Sequence, residues 1–576
     1  GDKNTAVGHQ SFGASAGAHI TGGDNTAIGH NSMLEAEGAV AQNTAVGSNS
    51  LISITTGSYN TVIGKDAGES LLVTDGAVII GKGAGKTLTG NEQTNGGDGA
   101  VVIGYEACKD GGFYPYSIAI GYQAGKNWST GAGNIAMGYK SLNEHNTGNR
   151  NIAIGYEAAS ATQAGSSQST SAGSDDNIFI GHRAGAGSWA DADSSNNVSI
   201  GSYSMDANLN GANSNVGVGV ATLSDLTSGD NNVCIGHGAG ADITTGDDSV
   251  MIGYSAGELA TSGDENVYVG ARSGDGNTGN KNVAIGALAL TDPGDVDNAV
   301  AIGYETLANA DHSNDDGCIA IGYQTLSSFS STDADNMTVG IGYKSCFTGS
   351  TGLNRATAVG YASLYTNNNA DNTAVGWKAG YSSTGPNNVF IGKDAGQSAS
   401  SGGGNTIVGK GACGTATLTG DNNVCVGAGA GANMTSANDS VCIGLNAGDS
   451  LVDGEDVVVI GEAADVNAGG RANVVVIGQA AQSYAADGYV TLAGNASNPV
   501  HINTGSSGQS WGTTSDLRIK TDIVDGDLGL NFINKLRTIK YKDKPTSEWP
   551  SELKKNLPDK LIKEEKNETV LDGMVA

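Results

Sequence analysis

A short pattern ending in glycine, Asn4-Thr5-Ala6-Val7-Gly8 in its first copy, recurs 27 times between Gly8 and Gly478. Thirteen of the 26 intervals between successive marker glycines are 17 residues, and most others are 16 to 20. Three are longer, at 21, 23 and 26 residues. Three before the marker stands only Val, Ile or Thr, and one before it Val or Ile, Met137 excepted. The residue between them is smaller in most copies, usually Ala. Three after the marker stands only Ala, Ser or Thr, and four before it Asn in 16 copies. Two β-branched residues flanking a small one have a period of two, which predicts a strand. The reading places the aliphatic pair in a core and the small residue against a second, close-packed surface. The marker glycine permits a bend or a positive φ, and clusters such as Gly229-Asp230-Asn231-Asn232 turn the chain. One repeat cannot bury its own face, so the repeats must stack. The expected fold is all-β: a parallel β-solenoid or β-roll of about 27 coils, in which 26 steps of about 4.8 Å give a rod of about 125 Å. The long intervals should keep their strands and extrude loops, most clearly over Leu88–Gly99 and Ser160–Asp176.

Composition excludes the alternatives. The length of 576 residues would suit three or four globular domains, but 15% charged and 5% aromatic residues are low for these. With 91 glycines the chain is too glycine-rich for a helical protein. Seven prolines and no strict Gly-X-Y period exclude collagen. No window approaches 18 consecutive apolar residues, so no membrane insertion is expected. No leader sequence is visible, and the absence of an initial Met reads as a fragment edge. The net charge is −30, and all of the excess lies in the first 514 residues, which hold 17 basic and 47 acidic side chains. Such a surface disfavours nucleic acid and anionic lipid.

Repeat position decides how the chemically suggestive residues are read. Cys234, Cys425 and Cys442 take the small slot two before the marker; Cys108, Cys346 and Cys413 sit four after it, where Gly or Leu is usual; only Cys318 differs. They read as packed free thiols rather than metal ligands or disulfides. Gly81-Lys82-Gly83-Ala84-Gly85-Lys86-Thr87 imitates a phosphate loop, but the first glycine is misplaced and the repeat register runs through it. Acidic turns such as Asp191–Asp193 lack a calcium-binding spacing and read as solvated carboxylates. No metal or cofactor is expected. Directly after the marker stand Tyr105, Tyr122, Tyr139 and Tyr156 on consecutive repeats, then Tyr304, Tyr323, Tyr343, Tyr361 and Trp377. On stacked coils these form ladders that stabilise the rod, with sugar stacking as the second reading. His9, His30, His182 and His237 share the slot and read as surface residues.

The array over residues 1–481 resembles the head repeats of trimeric autotransporter adhesins and, more closely, the Asn-Thr-Ala-Val-Gly repeats of bacteriophage tail fibres. The resemblance implies a left-handed roll and a homotrimer, with the small residue toward the trimer interface. The 17-residue spacing is longer than in the adhesin head. Beyond Gly478, Tyr489–Leu492 and Val500–Ile502 predict short strands of a β-rich neck over 482–514. Composition then changes, and Asp527–Thr538 has the pattern of an amphipathic helix. The stretch from Thr514 to Ile523, Thr-Ser-Asp-Leu-Arg-Ile-Lys-Thr-Asp-Ile, resembles the start of the endosialidase-type intramolecular chaperone domain of phage fibres and tailspikes, as do Leu536–Tyr541 and Asp572–Ala576. The resemblance implies that residues 515–576 are the N-terminal part of a small α+β domain that trimerises, guides folding and cleaves itself off. The family's Ser-Lys dyad falls on Ser515 and Lys520, with cleavage between Thr514 and Ser515. A lysine activates a serine only when its own pKa is lowered.

The function these readings imply is that of a structural, homotrimeric virion fibre serving host attachment. It is not an enzyme apart from a single self-cleavage, and its expected partners are itself and a host cell-surface receptor, for which a glycan is the candidate. A bacterial surface adhesin is the alternative, and it calls for a coiled-coil stalk and a membrane anchor. A polysaccharide-degrading tailspike would need paired carboxylates breaking the register, and an ice-binding solenoid would need a regular threonine face. No such interruption occurs outside the loops, and threonine is too intermittent for such a face.

Overall fold

In the computed structural model the described residues are 2–504, apart from 14–18, 89–96, 113, 146, 162–172, 190–191, 292–293, 309–315, 330–336, 350–354, 367–368, 370, 495 and 498, together with the backbone of 511–513, 539–542 and 570–573. Backbone contacts divide the chain into two units, Gly1–Gly512 and Thr513–Ala576.

Each of the 27 marker glycines follows a strand, from Thr5–Val7 to Ala472–Ile477. Successive strands pair in parallel, so the first unit is a β-solenoid of about 26 turns. No α-helix occurs among the described residues. Equivalent repeat positions are register partners throughout, as in Val233↔Val250, Cys234↔Met251 and Ile235↔Ile252. The register survives the long intervals: Val78–Ile80 pairs with Val101–Ile103, and Ile152–Ile154 with Ile178–Ile180. The strands flanking both insertions therefore keep their pairing, and most of the inserted residues lie outside the described set.

The orientation of the strands corrects the sequence reading. The small central residue, and not the aliphatic pair, points into the coil. Ala27, Ala119, Ala284 and Ala374 are fully buried, while Ile28, Ile235 and Ile391 are about two-fifths exposed, at 38%, 39% and 41%. A coil of some 17 residues closes around a lumen one or two side chains wide. The strand contributes one inward residue, and the residue three after the marker, such as Ala67, Ala256 or Ser345, faces it from the other side, fully buried. Two inward Ile side chains per strand would overfill that space.

In most coils volume is balanced between the central strand position and the position four after the marker, with Ala119 and Gly125, Ala153 and Ala159, and Ala374 and Gly380 as exceptions. A small strand residue is matched by a large partner, as in Ala45 with Leu51, Ala301 with Leu307 and Ser199 with Met205. A large strand residue is matched by glycine: a Cβ on Gly185 would lie 2.3 Å from Phe179, one on Gly274 2.4 Å from Tyr268, and one on Gly396 2.3 Å from Phe390. All seven cysteines are buried free thiols, and six occupy these two positions.

The asparagine four before the marker is buried and builds a second spine. The Oδ1 of Asn43 accepts the backbone N–H of Asn60 at 2.9 Å and its Nδ2 at 2.9 Å, while Asn43 Nδ2 donates to Gly57 O at 2.9 Å. The run Asn134, Asn151, Asn177, Asn197, Asn215, Asn232 repeats the link to the backbone N–H one coil on. The amide thereby satisfies corner groups that neither the strand ladder nor solvent reaches. Gly478 ends the run of markers. Tyr489–Leu492 adds in parallel to the last repeat strand, and Val500–Asn503 returns antiparallel to it. Both neck segments read from the sequence are thus strands.

Candidate functional surfaces: an aliphatic stripe and aromatic ladders

The outward aliphatic pair repeats in register on every coil, forming a stripe that runs from Thr26 and Ile28 to Val475 and Ile477. Its members are half-buried or exposed, among them Ile63, Ile154, Ile252, Ile285 and Ile443 at 36–39%. About 26 steps of about 4.8 Å, with a width of about 7 Å for two strand residues, make roughly 900 Å². A typical monomer's largest apolar patch is about 300–600 Å².

The backbone turns at the marker directly beside the stripe. Gly236 has φ +134°, and a Cβ there would lie 2.3 Å from Gly253 O. The residue after the marker therefore emerges on the shoulder of the stripe, stacked above its counterparts. Tyr105, Tyr122, Tyr139 and Tyr156 stack with centroids 5.2, 5.2 and 4.9 Å apart, and His182 extends the column at 5.3 Å. Tyr304, Tyr323, Tyr343 and Tyr361 stack at 5.4, 5.1 and 5.1 Å, and Trp377 closes the run at 4.0 Å. The rings are 37–49% exposed. His9 and His30 stack at 5.3 Å, and His237 stacks on Tyr254 at 5.5 Å; these four histidines lie exposed on the surface.

The sequence reading missed a second column beside the later ladder. Phe347, Tyr365 and Tyr381, each five after its marker, stack at 5.2 and 4.9 Å. Lys344 bridges the two columns, its Nζ 5.7 Å from the Tyr343 ring and 4.4 Å from the Phe347 ring, and Lys378 lies 5.3 Å from the Tyr381 ring. The signal was present, since register arithmetic at the fifth position finds three aromatics on consecutive repeats.

The phosphate-loop lookalike is an ordinary coil: Gly81 has the marker conformation, φ +137°, with no room for a Cβ beneath Gly104 O. Thr514, Ser515 and Lys520, and the stretch Asp527–Thr538, lie outside the described residues. In the second unit Ile539–Lys542 pairs antiparallel with Val570–Gly573, with Lys540 opposite Asp572. Comparison with protein families, with curated proteins and with solved structures gives no match for the chain.

Proposed function

We propose that this chain is the shaft of a homotrimeric virion fibre of the phage tail-fibre type, which serves host attachment outside the cell. The observation that supports it is the unbroken aliphatic stripe. A rod that left about 900 Å² of stacked Val, Ile and Thr in water would associate, and that area matches the roughly 800 Å² per partner of a stable interface. The surface between protomers is then the aliphatic pair, and not the small residue that the resemblance placed there. Three stripes closing around one axis leave no unpaired copy, whereas an open arrangement would keep growing.

The C-terminal segment supplies the only chemistry in this reading. Ser515 is the nucleophile, Lys520 takes its proton, and the bond before Ser515 breaks once. The pairing of the two later segments that resemble the chaperone domain, 539–542 with 570–573, supports that assignment. The aromatic ladders are the surface offered to a host receptor, with saccharide rings stacking on Tyr105–Tyr156 and Tyr304–Trp377.

Two measurements test the proposal. Sedimentation of the purified chain gives three times the chain mass of 57.5 kDa, or three times the shaft mass after cleavage; a monomer overturns the shaft assembly. Denatured intact mass of the full gene product shows loss of everything after Thr514 in the unmutated chain and full length in Ser515→Ala. Full length in both removes the self-cleavage and favours the surface-adhesin alternative.

A further inference from the structure

Near its C-terminal end the solenoid holds three cysteines and a methionine in one stretch of lumen. Cys413 stands four after its marker, and Cys425 and Cys442 are inward strand residues of the next two coils. All three are fully buried. The Sγ atoms of Cys413 and Cys425 are 2.8 Å apart, and Met434 Sδ lies 3.5 Å from Cys425 Sγ. Atoms as small as carbon rest at about 3.5–4.0 Å, and a disulfide bond is about 2.05 Å. The two sulfurs are thus held between contact and bond. Only a glycine fits over them: a Cβ on Gly431, φ +58°, would lie 2.8 Å from Cys425 Sγ and 3.1 Å from Cys413 Sγ.

We infer that Cys413 and Cys425 form a disulfide that staples two adjacent coils through the lumen when a low-molecular-weight disulfide is present as the coils close. Cys413 projects from the corner side of the lumen and Cys425 from the strand side, so the two sulfurs meet head-on. Cys442 is the direct register partner of Cys425 in a parallel ladder. Register partners on a parallel ladder stand side by side, and the Cys442 thiol also hydrogen-bonds with that of Cys425, so Cys442 is the competing partner that the test must separate from Cys413.

The chemistry balances with a dissolved disulfide RSSR as the oxidant. One cysteine thiolate attacks RSSR and expels RS⁻; the second attacks the mixed disulfide and expels another RS⁻. Both cysteine sulfurs are oxidised, RSSR is reduced to two RSH, and the two thiol protons end on the leaving groups. The hydrogen bond with Cys413, and after it burial, hold the Cys425 thiol well above its ordinary value, against the opposing hydrogen bond with Cys442. Thiolate is therefore scarce in the closed coil, and the state set during folding persists.

The experiment refolds the full chain with oxidised glutathione, alkylates it under denaturing, non-reducing conditions and cleaves before aspartate. Cuts at Asp394, Asp421, Asp439 and Asp449 place the three cysteines on separate fragments, 394–420, 421–438 and 439–448. The expected result is a reducible link between the first two fragments, with Cys442 alkylated and a higher urea midpoint than the reduced chain. Cys442→Ser keeps the link and Cys413→Ser loses it, with the β-sheet circular dichroism of each confirming that it folds. Alkylation of both Cys413 and Cys425, or a link from Cys425 to Cys442 in the unmutated chain, overturns the inference.

Discussion

The tightest single residues are the marker glycines, which combine two independent constraints. At Gly236 the φ of +134° is one that side-chain-bearing residues avoid, and the carbonyl of Gly253 occupies the Cβ position. Strain at such a site costs about 1–3 kcal/mol before any clash is counted. Gly236→Ala should therefore lower the urea midpoint, and hydrogen exchange should localise the loss to the neighbouring coils. Protection equal to that of the unmutated chain would show that the stack can absorb the shift. A second residue-scale case is His145, which is 1% exposed beside Asn151 Nδ2 at 3.1 Å. Desolvation is the largest influence and pulls its pKa from 6.5 down to about 4, against the Gly148 backbone and the Asp175 charge, which both raise it. A folded-state pKa below the unfolded one means that the unfolded chain binds the proton more readily. Stability is thus intact above about pH 6.5, falls as pH drops through that value, and levels off below about 4. The full loss is of order 3 kcal/mol at about 1.4 kcal/mol per unit. Exchange of the amides around residues 142–151 should accelerate over that window, and His145→Gln should flatten the dependence.

At the scale of the coil, volume pairing is the organising rule. Phe179→Ala should cost about 3–5 kcal/mol through the cavity it leaves. Gly185→Ala alone should also destabilise, because its Cβ would meet the Phe179 ring at 2.3 Å. Together they should cost clearly less than the sum, since removal of the ring opens room for the methyl group. Additive losses in denaturant titrations would refute direct pairing. The asparagine spine acts at the same scale. Asn215 Oδ1 accepts the Asn232 backbone N–H at 2.9 Å, and its Nδ2 donates to Gly229 O at 2.8 Å. Asn215→Ala leaves buried partners unmet, for about 1–3 kcal/mol. Both devices also bear on misfolding. A parallel repeat array has little local defence against a skipped coil, but a coil carrying Phe179 with Gly185 does not substitute for one carrying Ala301 with Leu307.

For the whole first unit, the unanswered surface is the stripe. Lysine at both Ile235 and Ile252 places charges in the middle of the proposed interface while leaving the lumen untouched. The double variant should sediment as a monomer with unchanged far-UV circular dichroism. A trimer of undiminished stability would move the interface elsewhere. The aromatic ladders stand beside that stripe, and Lys344 and Lys378 add positive charge to an otherwise acidic shaft. If they are the receptor surface, Tyr343→Ala with Tyr361→Ala should reduce binding to host-cell polysaccharide about tenfold or more, since each stack contributes about 0.5–1.5 kcal/mol. Retained binding would leave the ladders with a purely structural role.

The repeat was legible from end to end because its signal is periodicity, which needs no knowledge of distant contacts. A strand before every marker glycine, parallel stacking in register, the positive φ at the markers and the stacking of the predicted tyrosines all follow from spacing and residue type. Which face of the strand looks inward was not legible. Alternation separates Val233 and Ile235 from Cys234, but it is symmetric between the two faces, and the usual preference for burying the larger residues pointed the wrong way. The tertiary structure decided the matter because the lumen of a 17-residue coil is too narrow for two large side chains per strand. The same closure brought positions six apart in sequence, Phe179 and Gly185, into one shared volume, and set Cys413 against Cys425 across two coils. Such pairings depend on how the corners bend, and that is fixed only when each coil closes on the one before it.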